Sequence, residues 1–221
     1  MIKWMPCALL VLAVAGCTTP RPTAPNRAPS AGSVEELAAA IAADAKRSDL
    51  ESDARIRGDL AADAGRNADA CLAREPRAAA CLYGRAIALG LEARAHPTRA
   101  GELLKSMLGS LGESEAADPL YDEAGSARVR ALVLIRSPGC PLGPGDAEAG
   151  LVAARRAAAL RPKWPPNLLA LAEALAKNGD PSGARENYQH ARDAAVALPS
   201  GADRDRWLQE AEEALRRPAG H

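Results

Sequence analysis

Pro76, Pro119 and Pro162 stand 43 residues apart, twice over. Thirteen positions after each comes leucine (Leu89, Leu132, Leu175), and ten after each comes a small or apolar residue (Ala86, Val129, Ala172). An internal period of roughly 20–50 residues restricts a chain to a stack of similar units. Proline lacks the amide donor and fixes φ, so it belongs at the start of a helix and not in its interior. Each proline is therefore expected to open a helix carrying the same inward stripe.

Composition says what the units are made of. Alanine is roughly a quarter of the 221 residues, far above its usual share, and it favours helix because it loses no side-chain entropy there. With no Phe, three Trp and three Tyr, the chain lacks the aromatic and β-branched residues of a sandwich or barrel. Lys+Arg and Asp+Glu balance at 28 each, which leaves no basic footprint for nucleic acid. The expectation is an all-α domain of antiparallel helix pairs over residues 34–217.

The third unit is the clearest. Leu171, Ala172, Leu175, Gly179, Ala184, Tyr188 and Ala191 follow Pro162. This pattern resembles the tetratricopeptide repeat, two antiparallel helices with small residues where they cross. The same register places Gly150, Ala154 and Ala157 on small positions of the second unit. That unit is lengthened by a loop, Ser137 to Asp146, reading SPGCPLGPGD. In the first unit Met107 and Leu111 replace smaller or aromatic residues. Trp207, Leu208, Ala211 and Leu215 form a final stripe, as expected of a capping helix. The charges around it (Asp203, Arg204, Asp205, Arg206, Glu210, Glu213, Arg216) read as solvated surface.

Upstream, Ser33 and Glu36 have capping-box spacing and should start a helix. Ser48 and Glu51 repeat that spacing and suggest a restart, with Ile56, Leu60, Ala64 and Ala68 along the next helix. Thr18 to Ser33 is rich in proline and small polar residues and cannot build a core, so it reads as an extended or disordered tether.

Before the tether, Lys3 precedes an uncharged run from Trp4 to Gly16. This is the layout of a secretory signal and is shorter than the ~20 residues that span a bilayer. It ends in Val14-Ala15-Gly16-Cys17, which resembles the bacterial lipoprotein box. The resemblance implies cleavage after Gly16 (signal peptide 1–16), lipidation of Cys17 and a lipidated tether over 17–33. Thr18, where Asp would retain the protein in the inner membrane, implies an outer-membrane anchor facing the periplasm. An ordinary cleaved signal is the alternative.

A wider resemblance rests on the order of Cys81-Leu82-Tyr83-Gly84-Arg85-Ala86, Asp118-Pro119-Leu120-Tyr121-Asp122-Glu123-Ala124-Gly125 with Arg128, Ser137-Pro138-Gly139-Cys140-Pro141, Gly145-Asp146, Arg161-Pro162, and Asn167 to Glu173. It is similar to the T component of TRAP transporters, a helical lipoprotein family. The resemblance implies a periplasmic substrate-binding protein as partner and a small hydrophobic ligand. The sequence departs from the family at Cys140, where a Trp is common, and at Gly125-Ser126, where Gly-Pro is usual.

The loop 137–146 is the first functional candidate, since long loops between regular elements often carry function. Tyr121, Arg128, Cys140, Asp146 and Trp164 are the candidate ligand- or partner-binding residues, with Tyr121, Arg128 and Trp164 expected near that loop because each sits at or near a repeat corner. Arg128 would meet a ligand carboxylate or pair with Asp146. Trp164 between two prolines also reads as a packing wedge. Cys71 and Cys81 lie symmetrically about Pro76, where an antiparallel hairpin would bring them level. Their alternatives are a disulfide or two buried thiols. Cys140 is then left free or paired between chains. No cofactor, metal or catalytic site is expected: His96, His190 and His221 are scattered, and no nucleophile or phosphate-loop motif occurs. Three functions follow: a T-component-like binding scaffold with an apolar groove lined by the first helix of each pair, a structural envelope lipoprotein without small ligand, or, least supported, an enzyme. Small-residue helix faces also suit a homo-oligomer.

Overall fold

The structure, a computed structural model, describes residues 32–217; the signal segment, Cys17 and most of the tether lie outside the described residues. Nine α-helices fill this span: α1 (Val34–Leu50), α2 (Ala54–Arg74), α3 (Ala79–Ala95), α4 (Ala100–Ala117), α5 (Tyr121–Arg136), α6 (Ala147–Leu160), α7 (Pro165–Lys177), α8 (Pro181–Val196) and α9 (Ala202–Arg216). A single 3-10 turn, Pro97–Arg99, precedes α4. The described residues contain no strand, and the fold is all-α. Successive helices pack as pairs, α1 on α2, α3 on α4, α5 on α6 and α7 on α8, with α9 covering α8. No helix among the described residues is long and apolar enough to cross a membrane.

The three equally spaced prolines sit in the connecting turns and not inside the helices they precede. Each is the second residue of a four-residue turn: Ala78 N donates to Glu75 O, Tyr121 N to Asp118 O and Trp164 N to Arg161 O. The fixed φ of proline suits that position of a tight turn. Antiparallel pairing puts all three turns at one end of the stack. The connection between α3 and α4, the loop 137–146 and the turn after α7 lie at the other end.

The 43-residue spacing has two different causes. The first unit is long because its helices are long and a 3-10 turn separates them. The second is long because of the loop between α5 and α6. The third unit matches the expected register. Ala172, Leu175, Ala184 and Ala191 are buried. Gly179 has φ +81° after the end of α7, where Gly179 N donates to Ala176 O and Asp180 N to Leu175 O. Those two bonds close a Schellman turn, whose left-handed residue favours glycine.

The crossings are built largely from alanine. Ala131, Ala153, Ala154 and Ala174 surround Ile135 between α5, α6 and α7. Gly150 is needed for this approach, since a Cβ there would lie 2.5 Å from Ile135 Cγ2. Each buried methyl contributes only about 0.8 kcal/mol, so stability comes from many close contacts and not from a few large side chains.

The capping box at Ser33 and Glu36 starts α1. Ser48 does not start α2. It is buried in the last turns of α1, which continues to Leu50, and Asp53 caps α2 by accepting from Arg55 N and Ile56 N. An Asp immediately before the helix satisfies two free amides at once, an advantage an interior serine cannot match. A disulfide joins Cys71 in the last turn of α2 to Cys81 in the first turn of α3, with Cα atoms 5.3 Å apart. Cys140 is free and exposed.

Candidate binding cleft

The parallel first helices α5, α7 and α9 line a cleft of about 320 Å³. Its apolar floor includes Leu132 and Leu169, and its charged lining is Arg128, Arg136, Glu173, Arg206 and Glu210, with Asp49 of α1 at the edge. Arg136 Nε and Nη2 donate to the two Glu173 carboxylate oxygens at 2.8 and 2.5 Å, a bidentate bridge between α5 and α7. Burial raises the Glu210 carboxyl above its ordinary value; Arg136 opposes the shift and Glu173 adds to it. Burial likewise raises the Tyr188 phenol, with Glu173 and Glu210 contributing. Two carboxylates and a phenol thus crowd the guanidinium of Arg136. The apolar groove expected along these helices is a charged one.

The cleft opens into a second cavity of about 610 Å³, with which it shares Asp49, Arg206 and Trp207. Its walls are more apolar: Leu50, Trp164, Leu198, Pro199 and Trp207. The two indole rings meet edge-on, 5.0 Å between centroids. Lys46 Nζ donates to Asp203 Oδ2 at 2.8 Å beside this cavity, joining α1 to α9. The result is an aromatic cavity adjoining an open, charged cleft.

A partly buried polar node supports the floor at the proline-turn end. Asp122, Glu123 and Ala124, in the first turn of α5, all have left-handed backbone (φ 49°, 55° and 62°). Such residues cost roughly 1–2 kcal/mol each without glycine. Arg128 holds the segment. Its Nη1 donates to the carbonyls of Asp122 and Glu123 and to Asn167 Oδ1, and its Nη2 to Asp122 Oδ2 at 2.6 Å. Asn167, fully buried, donates to Glu123 O and Ala157 O. Tyr83 Oη donates to Asp122 Oδ2 at 2.8 Å. Burial first, and the Asp122 charge second, push the Tyr83 phenol well above its ordinary range. A Cβ on Gly125 would lie 2.6 Å from Asp122 Oδ2 and 3.0 Å from Tyr83 Oη, so only glycine leaves room for this bond.

Of the five candidate residues, Arg128 lines the cleft and Trp164 the adjoining cavity. Tyr121 packs edge-on against Tyr83, ring centroids 5.5 Å apart. Asp146 caps α6 by accepting from Ala149 N. Cys140 stands on the loop. Two expectations fail. Arg128 does not pair with Asp146, because its donors are taken by Asp122, Glu123 and Asn167. The loop 137–146 is not near Tyr121 or Arg128. It follows the C-terminus of α5, whereas Tyr121 opens that helix and Arg128 sits midway along it. The charged face of α9 is largely exposed, as expected; its exposed Arg206 and Glu210 also border the cleft, and with Asp203 and Trp207 they share one helical face.

Among the described residues no group of His, Cys, Asp and Glu is arranged to hold a metal ion. No protein-family model matches this sequence, and no curated protein matches it significantly.

Proposed function

We propose that this chain is a membrane-anchored helical-repeat lipoprotein of the bacterial periplasm, acting as a binding scaffold through the α5–α7–α9 cleft. The observation that carries the reading is the charged cleft adjoining an aromatic cavity. Repeat stacks bind through such concave surfaces, and paired charges there select a partner more than they add affinity. The motif order it shares with TRAP T components supports the finer form, in which the partner is a periplasmic substrate-binding protein. The charged lining favours a polar protein segment over an apolar small molecule at this position. The same lining favours the alternative reading, an envelope scaffold at the outer membrane that carries no small ligand.

The test uses the full-length chain in cells, with a photo-crosslinker at Leu132 in the cleft or at Val196 on an exposed face. A discrete adduct with a substrate-binding protein from Leu132 alone supports the transport-linked form. An adduct with an outer-membrane protein supports the envelope form. The adduct should vanish with Arg136→Glu and return with Arg136→Glu/Glu173→Arg. Equal adducts from both positions would sink the cleft as the site. Cys17→Ser should release the chain from the membrane fraction; retention there would refute the lipid anchor.

A further inference from the structure

A cavity of about 660 Å³ lies away from the cleft, between α4 and α6 with α5 as its floor. Its walls are mostly small and apolar: Ala116, Ala127, Leu134, Val152 and Ala153. Val152 is 67% exposed there, with no helix over it. Three charged residues enter this apolar groove, Glu115, Arg130 and Arg156. Glu115 bonds Arg156, and its other oxygen is 3.9 Å from Arg130 Nε, beyond hydrogen-bond length. Arg130 Nε is buried with no hydrogen-bond partner, and Nη2 makes only a long bond, 3.4 Å, to Leu108 O. Gly112 holds this arrangement open, since a Cβ there would lie 2.9 Å from Arg130 Nη2.

Two guanidiniums thus face one carboxylate in an open apolar groove, and one of them is under-used as a donor. A cation so placed is stabilised by an anion that brings its own apolar body. The volume is within the ~300–1,000 Å³ range of small-molecule sites. We infer that this groove binds a small anionic amphiphile, an alkyl chain along Ala127, Val152 and Ala153 with its carboxylate or phosphate head on Arg130 and Arg156. The site is separate from the proposed protein-binding cleft and does not depend on it.

The probes are 13C-labelled octanoate and octyl phosphate, titrated by NMR against the full-length chain in nanodiscs, with empty discs subtracted. Saturable one-to-one binding of either anion is expected, with octanol at least tenfold weaker. Arg130→Met and Ala153→Trp should each weaken the anion at least tenfold with helical content unchanged. Arg136→Met, in the cleft, should leave it unaltered. The proposal is overturned if neither anion saturates, if octanol binds equally well, or if Ala153→Trp has no effect. A dimer that dissociates on Ala153→Trp would also overturn it, in favour of a second copy seated in the groove.

Discussion

Arg128 and Asp122 are joined twice: Nη2 donates to the Asp122 carboxylate at 2.6 Å, and Nη1 to the Asp122 carbonyl at 3.2 Å. The arginine therefore fixes both the side chain and the backbone of a residue in left-handed conformation. The Arg128 side chain is 12% exposed and the Asp122 side chain 47%, so the carboxylate end of the contact meets water while the arginine is covered. Removing it takes one donor from each of two strained carbonyls, although Glu123 O keeps the Asn167 amide. Arg128→Met should destabilise the fold by about 2 kcal/mol, a figure discounted for the half-exposed partner. Arg128→Lys should recover less than half, because one ammonium cannot reproduce a planar fork. Urea denaturation of the three proteins checks this, and a loss under about 1 kcal/mol for the Met variant would contradict it.

Glu210 should make stability pH-dependent. Its carboxyl is raised above 4.5 in the folded state, first by burial. A raised carboxyl contributes fully below its unfolded value, and the contribution is lost as pH rises through the folded value. Glu210→Gln should therefore match the wild type near pH 4 and exceed it at pH 7. Denaturant midpoints at the two pH values decide, and a variant less stable at pH 7 would contradict the burial argument.

Asp203 titrates in the opposite sense. The hydrogen bond from Lys46 holds its carboxyl below 3.8. The associated stability is present above that value and is lost as pH falls through the lower, folded one. Lys46→Ala should return the Asp203 titration toward the ordinary range, read by carboxyl NMR. The pair is exposed on both sides, so the variant should lose less than about 1 kcal/mol.

Glycines divide by what surrounds them. Gly65, inside α2, has nothing within 4 Å of a would-be Cβ, whereas Gly150 would strike Ile135. Gly65→Ala should stabilise by about 0.5–1 kcal/mol. Gly150→Ala should destabilise by about 1–3 kcal/mol through overpacking. Thermal melts of both would test the packing of the α5–α6 crossing directly.

The Cys71–Cys81 bond closes a short loop of sequence separation 10. Replacing both cysteines by alanine should lower stability by about 2–3 kcal/mol in the chain-entropy account. A difference near zero by urea denaturation would place the constraint elsewhere.

The repeat was legible because its signals are local and periodic. Leu175, Gly179 and Ala184 stand where a helix, its turn and the next helix require them, and Ser33 with Glu36 announces α1. The node around Asp122 was not legible in the same way. Left-handed backbone at Glu123 and Ala124 has no sequence signature, since both residues favour right-handed helix. It is held by Arg128 together with Tyr83 and Asn167, the last two each some forty positions away. Ser48 misled because spacing alone suits a cap, and the outcome turned on Asp53 lying closer to the new helix. The cleft was half legible: stripes locate the first helices, but the partner of Arg136 depends on how α5 and α7 align.

In an open array of helix pairs the terminal members have one neighbour each, and they fray first. A single exposed ion pair, Lys46 to Asp203, runs between the first helix and the last across 157 positions of sequence, and the two helices do not pack on each other. So thin a tie leaves each end of the array to open by itself. Amide exchange in α1 should accordingly stay unchanged when α9 is loosened, as at the two free ends of a stack.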